Sequence, residues 1–151
     1  MRKNNNYRRR ALEYLELATC LIYLGWLVFL AILWGSERMA PHRVANVVSL
    51  VFSLLISVLL CWIRRLPQVR AVRSGLTARQ TGRIVRSRLW WIGSVKLVMV
   101  CGFAGMSISM VFSQILRMIL AVLTILALVG VSIRFGLEQK AVLSDSVRSP
   151  R

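Results

Sequence analysis

Four stretches of nearly unbroken apolar residues set the pattern of this chain: 14–34, 44–63, 89–110 and 114–134. Each runs to about 20 residues, the length of helix that crosses a hydrocarbon layer of about 30 Å. Between Ile115 and Val131 only Arg117 and Thr124 interrupt the apolar character, so the fourth run is apolar on every side. A helix of that kind faces lipid or is enclosed by other helices, whereas a surface helix of a soluble domain carries one apolar stripe. The pattern predicts an all-α fold, a polytopic membrane protein with four transmembrane helices. Pro67 is expected to end the second helix, because it cannot donate to the helical ladder. Ser74-Gly75 reads as a turn, and Thr77 to Gln80 fits a capping box. The third helix is then expected to begin near Ala78 and to project about three turns before Trp90 reaches the bilayer.

Composition narrows this further. Of 151 residues, 57% are hydrophobic, which leaves little chain for a separate soluble domain. The whole chain reads as a single four-helix domain (1–151) with a basic loop at 64–88. Lys and Arg number 21 against 5 acids, and their placement is uneven. Arg2, Lys3 and Arg8, Arg9 and Arg10 precede the first run, eight arginines lie between Arg64 and Arg88, and four basic residues follow from Arg134. The connection at 35–43 and the tight link near Ser113 are poor in charge. Because cytoplasmic segments carry the excess of Lys and Arg, both termini and the 64–88 loop are expected in the cytoplasm. Tyr14, Trp34, Trp62, Trp90 and Trp91 stand at run ends, where interfacial aromatics belong. The first run has a basic flank but no small-x-small cleavage site, and reads as a retained signal anchor.

The residue inventory argues against catalysis. Cys20, Cys61 and Cys101 fall singly in three different runs, and His42 is the sole histidine, so neither a metal cluster nor a His-based triad can be assembled. Asp145 is the sole aspartate, and no Gly-x-Ser-x-Gly or Ser-x-x-Lys motif frames the serines. No catalytic residue, metal or cofactor is expected, and the chain reads as a non-enzyme.

Three groups of residues carry candidate function. Arg79, Arg83 and Arg86 recur at spacings of four and three, and with Arg70, Arg73 and Arg88 they make a basic surface. Anionic lipid headgroups, an acidic protein partner and nucleic acid are the readings of such a surface. Nucleic acid is not expected, since neither aromatic interleaving nor a DNA-reading motif accompanies the arginines. Small residues recur every fourth position on the second run (Ala45, Ser49, Ser53, Ser57, Cys61) and on the third (Cys101, Gly105, Ser109, Ser113). Such rows let helix backbones approach closely in lipid. They are expected to form helix–helix contacts, most simply with each other, the alternative being a serine-lined path for a solute. Glu16 and Lys96 are the ionisable residues set just inside the first and third runs, and a structural ion pair is expected, of Glu16 with Lys96 or with a nearby arginine.

Beyond these physical signals, the segment Ser74-Gly75-Leu76-Thr77 leads into Arg83-Ile84 and Ile92-Gly93. After the fourth run comes Phe135-Gly136-Leu137-Glu138, then Leu143-Ser144-Asp145-Ser146-Val147. In these segments, in length and in the spacing of its runs, the chain resembles an uncharacterised family of bacterial four-span membrane proteins. Members of that family often have a Gly-x-Phe-Thr-like helix entry and are often encoded beside a Cro/C1-type regulator. Leu76 stands where a phenylalanine is usual, and the loop here is richer in arginine. The resemblance implies a bacterial cytoplasmic membrane and a regulatory setting, and no catalytic residues. The sequence as a whole leads to a small integral membrane protein that binds or modulates a membrane or cytoplasmic partner, in a regulatory, scaffold or immunity-like role, or that assembles with itself. A small oligomeric transporter or channel is the alternative.

Overall fold

The computed structural model describes residues 3–70 and 78–147, with side chains described from Leu12 onward except at positions 68, 70, 78, 79, 142, 143 and 145–147. Every regular element described is helical: α1 (Lys3–Leu33), a 3-10 turn (Ala40–His42), α2 (Arg43–Arg65), α3 (Pro67–Arg70), α4 (Ala78–Phe112) and α5 (Gln114–Val147). Four of these are long and apolar enough to cross a membrane, over Leu12–Leu33, Ala40–Arg65, Gln80–Phe112 and Gln114–Ala141.

Local chemistry explains the breaks. Leu66 takes an extended conformation (φ −60°, ψ 136°), because a residue before proline is pushed out of the α region. α2 therefore stops at Arg65, and Pro67 opens the short α3, its missing N–H being no loss in a first turn. The proposed Thr77 cap and Ser74-Gly75 turn lie outside the described residues. Between α4 and α5 a single residue, Ser113, falls outside helix, and hydrogen bonds from Ser113 N to Ser109 O and Arg117 N to Ser113 O carry the backbone across it.

α4 is the hub, and the substantial contacts with α1, α2 and α5 all run through it. Glu16 meets Lys96 and Trp26 meets Ser107, a step of ten residues along α1 and of eleven along α4 in the same direction, so α1 and α4 run parallel. On α2, Asn46 pairs with Ser107 and Cys61 with Lys96, so α2 runs antiparallel to α4. Along α5 the partners descend in the same way: Leu120 lies against Gly105, Thr124 against Gly102, Phe135 against Trp91 and Glu138 against Ser87. Hence the C-terminal ends of α2 and α5 and the N-terminal part of α1 lie beside the N-terminal half of α4.

Side-chain burial is concentrated in α1, α2 and α4. Trp26, Leu30, Met39 and Ala104 form an apolar cluster at the level of the 34–42 turn, flanked by Phe29, Leu50 and Phe103. α5 buries none of its membrane-length window, and Ile115, Met118, Val122, Ile125, Val129 and Ile133 are all exposed. It joins the rest of the molecule by packing on α4 at close range. A Cβ built on Gly102 would overlap Thr124, 2.7 Å from its Oγ1, and one on Gly105 would sit 3.5 Å from Leu120 Cδ1. α4 and α5 contain 35 and 34 residues, about 50 Å of helix each, well beyond the apolar thickness of a bilayer. α5 continues helical past Arg134, where the hydropathy pattern alone marks the end of the fourth span.

Candidate functional site

The polar side chains of the three-helix core gather at three levels. At the basic end, Glu16 of α1 accepts from two cations at once: Arg64 Nη1 donates to Oε1 at 2.6 Å and Lys96 Nζ donates to Oε2 at 2.6 Å. Lys96 also lies 3.4 Å from Cys61 Sγ. The lysine is 8% exposed, while the Arg64 and Glu16 side chains keep about a third of their surface, 31% and 35%. Gly93 makes room for this meeting of α1 and α4, since Leu15 Cδ1 comes within 3.4 Å of where its Cβ would stand.

One level along, Tyr23 of α1 reaches across to α2, with its hydroxyl 2.8 Å from both Ser53 Oγ and Ser57 Oγ. At the far end a buried chain of donors crosses all three helices. Trp26 Nε1 donates to Ser107 Oγ at 3.0 Å, Ser107 donates to Asn46 Oδ1, and Asn46 Nδ2 donates to the Met39 thioether at 3.2 Å. Trp26, Ser107, Asn46 and Met39 are all at or below 1% exposure. Each link is a hydrogen bond made where water is absent, and aligned donors polarise one another. Thr19 and Thr124 satisfy their hydroxyls on their own helices, bonding Leu15 O and Leu120 O at 2.7 Å.

The two small-residue rows meet different neighbours. Ser53 and Ser57 turn toward Tyr23 of α1, and Ser49 is half-buried beside them. Gly105 faces Leu120 of α5, and the buried Ser109 bonds back to Met106 O at 2.8 Å. The shape of a tyrosine fits the gap that two serines leave on α2, while α5 takes the flat glycine face of α4.

Of the basic surface, Arg73 and the side chains of Arg70 and Arg79 lie outside the described residues. Arg83 is exposed, and Arg86 and Arg88 are half-buried along α4, where Arg88 Nη1 lies 3.4 Å from Val69 O. This part of α4 runs beside the end of α5. Trp91 stacks on Phe135 with centroids 5.1 Å apart, Arg134 lies over the Trp90 ring at 5.4 Å, and Ser87 Oγ donates to Glu138 Oε2 at 2.9 Å. Among the described residues no group of three His, Cys, Asp or Glu side chains is placed to hold a metal ion.

Sequence reasoning overlooked Arg64, Tyr23, Trp26, Asn46 and Ser107. Two of them carried a signal. Trp26 is the one tryptophan in mid-run while the other four stand at run ends, and Asn46 is the one asparagine outside the N-terminal Asn4-Asn5-Asn6. A polar atom so placed must find a partner inside the protein. No family model, curated protein or solved structure matches this chain.

Proposed function

We propose that this chain is a small, non-enzymatic integral membrane protein, of a bacterial cytoplasmic membrane, that works by binding. Its termini and the 64–88 segment face the cytoplasm, in keeping with the distribution of Lys and Arg. The observation that carries the reading is the continuation of α4 and α5 as an antiparallel pair past their apolar parts, joined at Trp91–Phe135 and Ser87–Glu138. That pair is a firm support for Arg83 and Arg86, which would dock an acidic segment of a membrane or cytoplasmic partner. Lipid-facing surface on α5 is ample, and Glu16 with Arg64 and Lys96, Tyr23 with Ser53 and Ser57, and Trp26 with Ser107 and Asn46 are engaged with one another across the core. Such engagement favours a structural role for them over a solute path.

A photo-crosslinking residue placed at Arg83 or Arg86 in native membranes tests this. A discrete adduct with one protein is expected from either position, lost when the other arginine and Arg79 are neutralised, and unseen from Ile125. Adducts as strong from Ile125 would remove the basic surface from the account.

The transport reading rests on the alignment of Asn46, Ser53, Ser57, Cys61 and Arg64 along α2. It predicts that Glu16→Gln, and not the loss of Arg83 and Arg86, abolishes function, with flux in proteoliposomes as the readout.

A further inference from the structure

The ion cluster at the basic end contains one carboxylate for two cations. Glu16 spends one oxygen on Arg64 and the other on Lys96, so the three side chains together carry one positive charge. Lys96 is more than nine-tenths buried, and a charge held in such surroundings is costly unless it is compensated. Among the described residues, Glu16 is the one acid paired with Arg64 and Lys96. Glu37 lies at the opposite end of the molecule, Glu138 of α5 serves Arg134 and, across on α4, Ser87, and Glu13, one turn before Glu16, has an interaction of its own. The negative end of the α2 dipole offers about half a charge. Arg65 in the same last turn draws on it too, so the excess stays positive.

Arg64 is the open side of this cluster. One N–H of its guanidinium lies on Glu16, its side chain is 31% exposed, and the planar fork has further donors suited to two oxygens of a phosphate. Its level is that of the lipid headgroups. Trp62, two residues earlier on α2, is 62% exposed, and Tyr14, two residues before Glu16 on α1, is 65% exposed. An anion that balances the charge, offers paired oxygens and is abundant at that depth is the phosphodiester of an anionic lipid.

We propose that Arg64, held by Glu16 and backed by the buried charge of Lys96, seats the phosphate of one anionic glycerophospholipid between the cytoplasmic-end turns of α1 and α2. The site does not depend on the docking surface at Arg83 and Arg86.

The test is native mass spectrometry of the full chain in detergent, titrated with phosphatidylglycerol or phosphatidylcholine. Wild type is expected to retain one phosphatidylglycerol, preferred over phosphatidylcholine by about tenfold or more, the scale of one charge-assisted hydrogen bond. Arg64→Gln and Lys96→Met each leave Glu16 in a neutral pair that can stay buried, and each is expected to bring that preference down to near one. Arg83→Gln with Arg86→Gln leaves it unchanged, whatever happens to protein docking. A wild-type chain that does not discriminate between the two lipids overturns the proposal, as does an undiminished preference in the folded Arg64→Gln and Lys96→Met variants. Loss of the preference in the Arg83 and Arg86 variant also overturns it, and displacement of the lipid by millimolar inorganic phosphate would assign the cluster to a free anion instead.

Discussion

α4 is joined to its neighbours in two unlike ways. Toward α1 and α2 it is cross-linked by polar side chains: Lys96 to Glu16, and Ser107 to both Trp26 and Asn46. Toward α5 it offers Gly102 and Gly105, and the backbones close in on Thr124 and Leu120. In lipid, where apolar surface gains nothing by leaving one apolar neighbour for another, these are the two means of association available. The polar ties specify particular partners and register. The glycine face allows dispersion contacts at short range but leaves the rest of α5 to lipid.

The largest expected effect comes from breaking the first device where charge is involved. Glu16→Ala leaves Arg64 and Lys96 facing each other with no anion between them. It is expected to destabilise the fold by about 3 kcal/mol, the lower end for a broken buried pair because a third of Glu16 is exposed. Lys96→Met, which leaves a neutral pair, should cost clearly less. Equilibrium unfolding in mixed SDS micelles reads both, and equal losses would mean that the charge count is irrelevant to the core.

Next is the glycine face. Gly102→Val drives a branched side chain into Thr124 and is expected to cost about 1–3 kcal/mol by the same measurement. Thr124→Ala in the same chain should return part of that loss. Without any recovery, the close approach of α4 and α5 at this point would not be what holds α5.

A smaller effect is expected from the neutral network. Asn46→Ala removes the acceptor of Ser107 and the donor to Met39, and about 1 kcal/mol is expected, since interhelical hydrogen bonds in membranes average well below their vacuum strength. Ser107→Ala combined with Asn46→Ala should add little to Asn46→Ala alone, and strict additivity would show that the chain of donors is not cooperative.

Smallest of all is Ser87→Ala. Its bond to Glu138 is exposed and water can replace it, so about 0.5 kcal/mol or less is expected. A loss as large as that of Gly102→Val would move the seat of the α4–α5 junction from the glycine face to the helix ends.

Much of this comparison was illegible in the hydropathy pattern for a definite reason. An amphipathic helix in water announces its inner face by polarity, but a helix in lipid is apolar on both faces, so α5 reads the same on the side that packs and the side that does not. Glu16 and Lys96 could be singled out because each breaks an apolar run. Arg64 could not, because it stands at the head of a long arginine-rich segment and looks like one topological charge among eight. The serine row on α2 was visible as a spacing, yet its partner is a tyrosine thirty residues earlier, a match of shape and hydroxyl geometry that spacing does not encode.

From the sequence alone follow the four membrane-length helices, the break before Pro67 and the uneven distribution of charge. These are properties of consecutive residues, because transfer into lipid, backbone hydrogen bonding and Coulombic attraction to a headgroup act on each stretch of chain by itself. Tertiary structure decided that α4 is the hub, that one carboxylate serves two cations, that Trp26, Ser107, Asn46 and Met39 form one chain of donors, and that α5 continues past Arg134 beside α4. These depend on which surfaces can approach within a few ångströms of one another, a relation between distant parts of the chain that is set by volume and by directional bonding rather than by hydrophobicity.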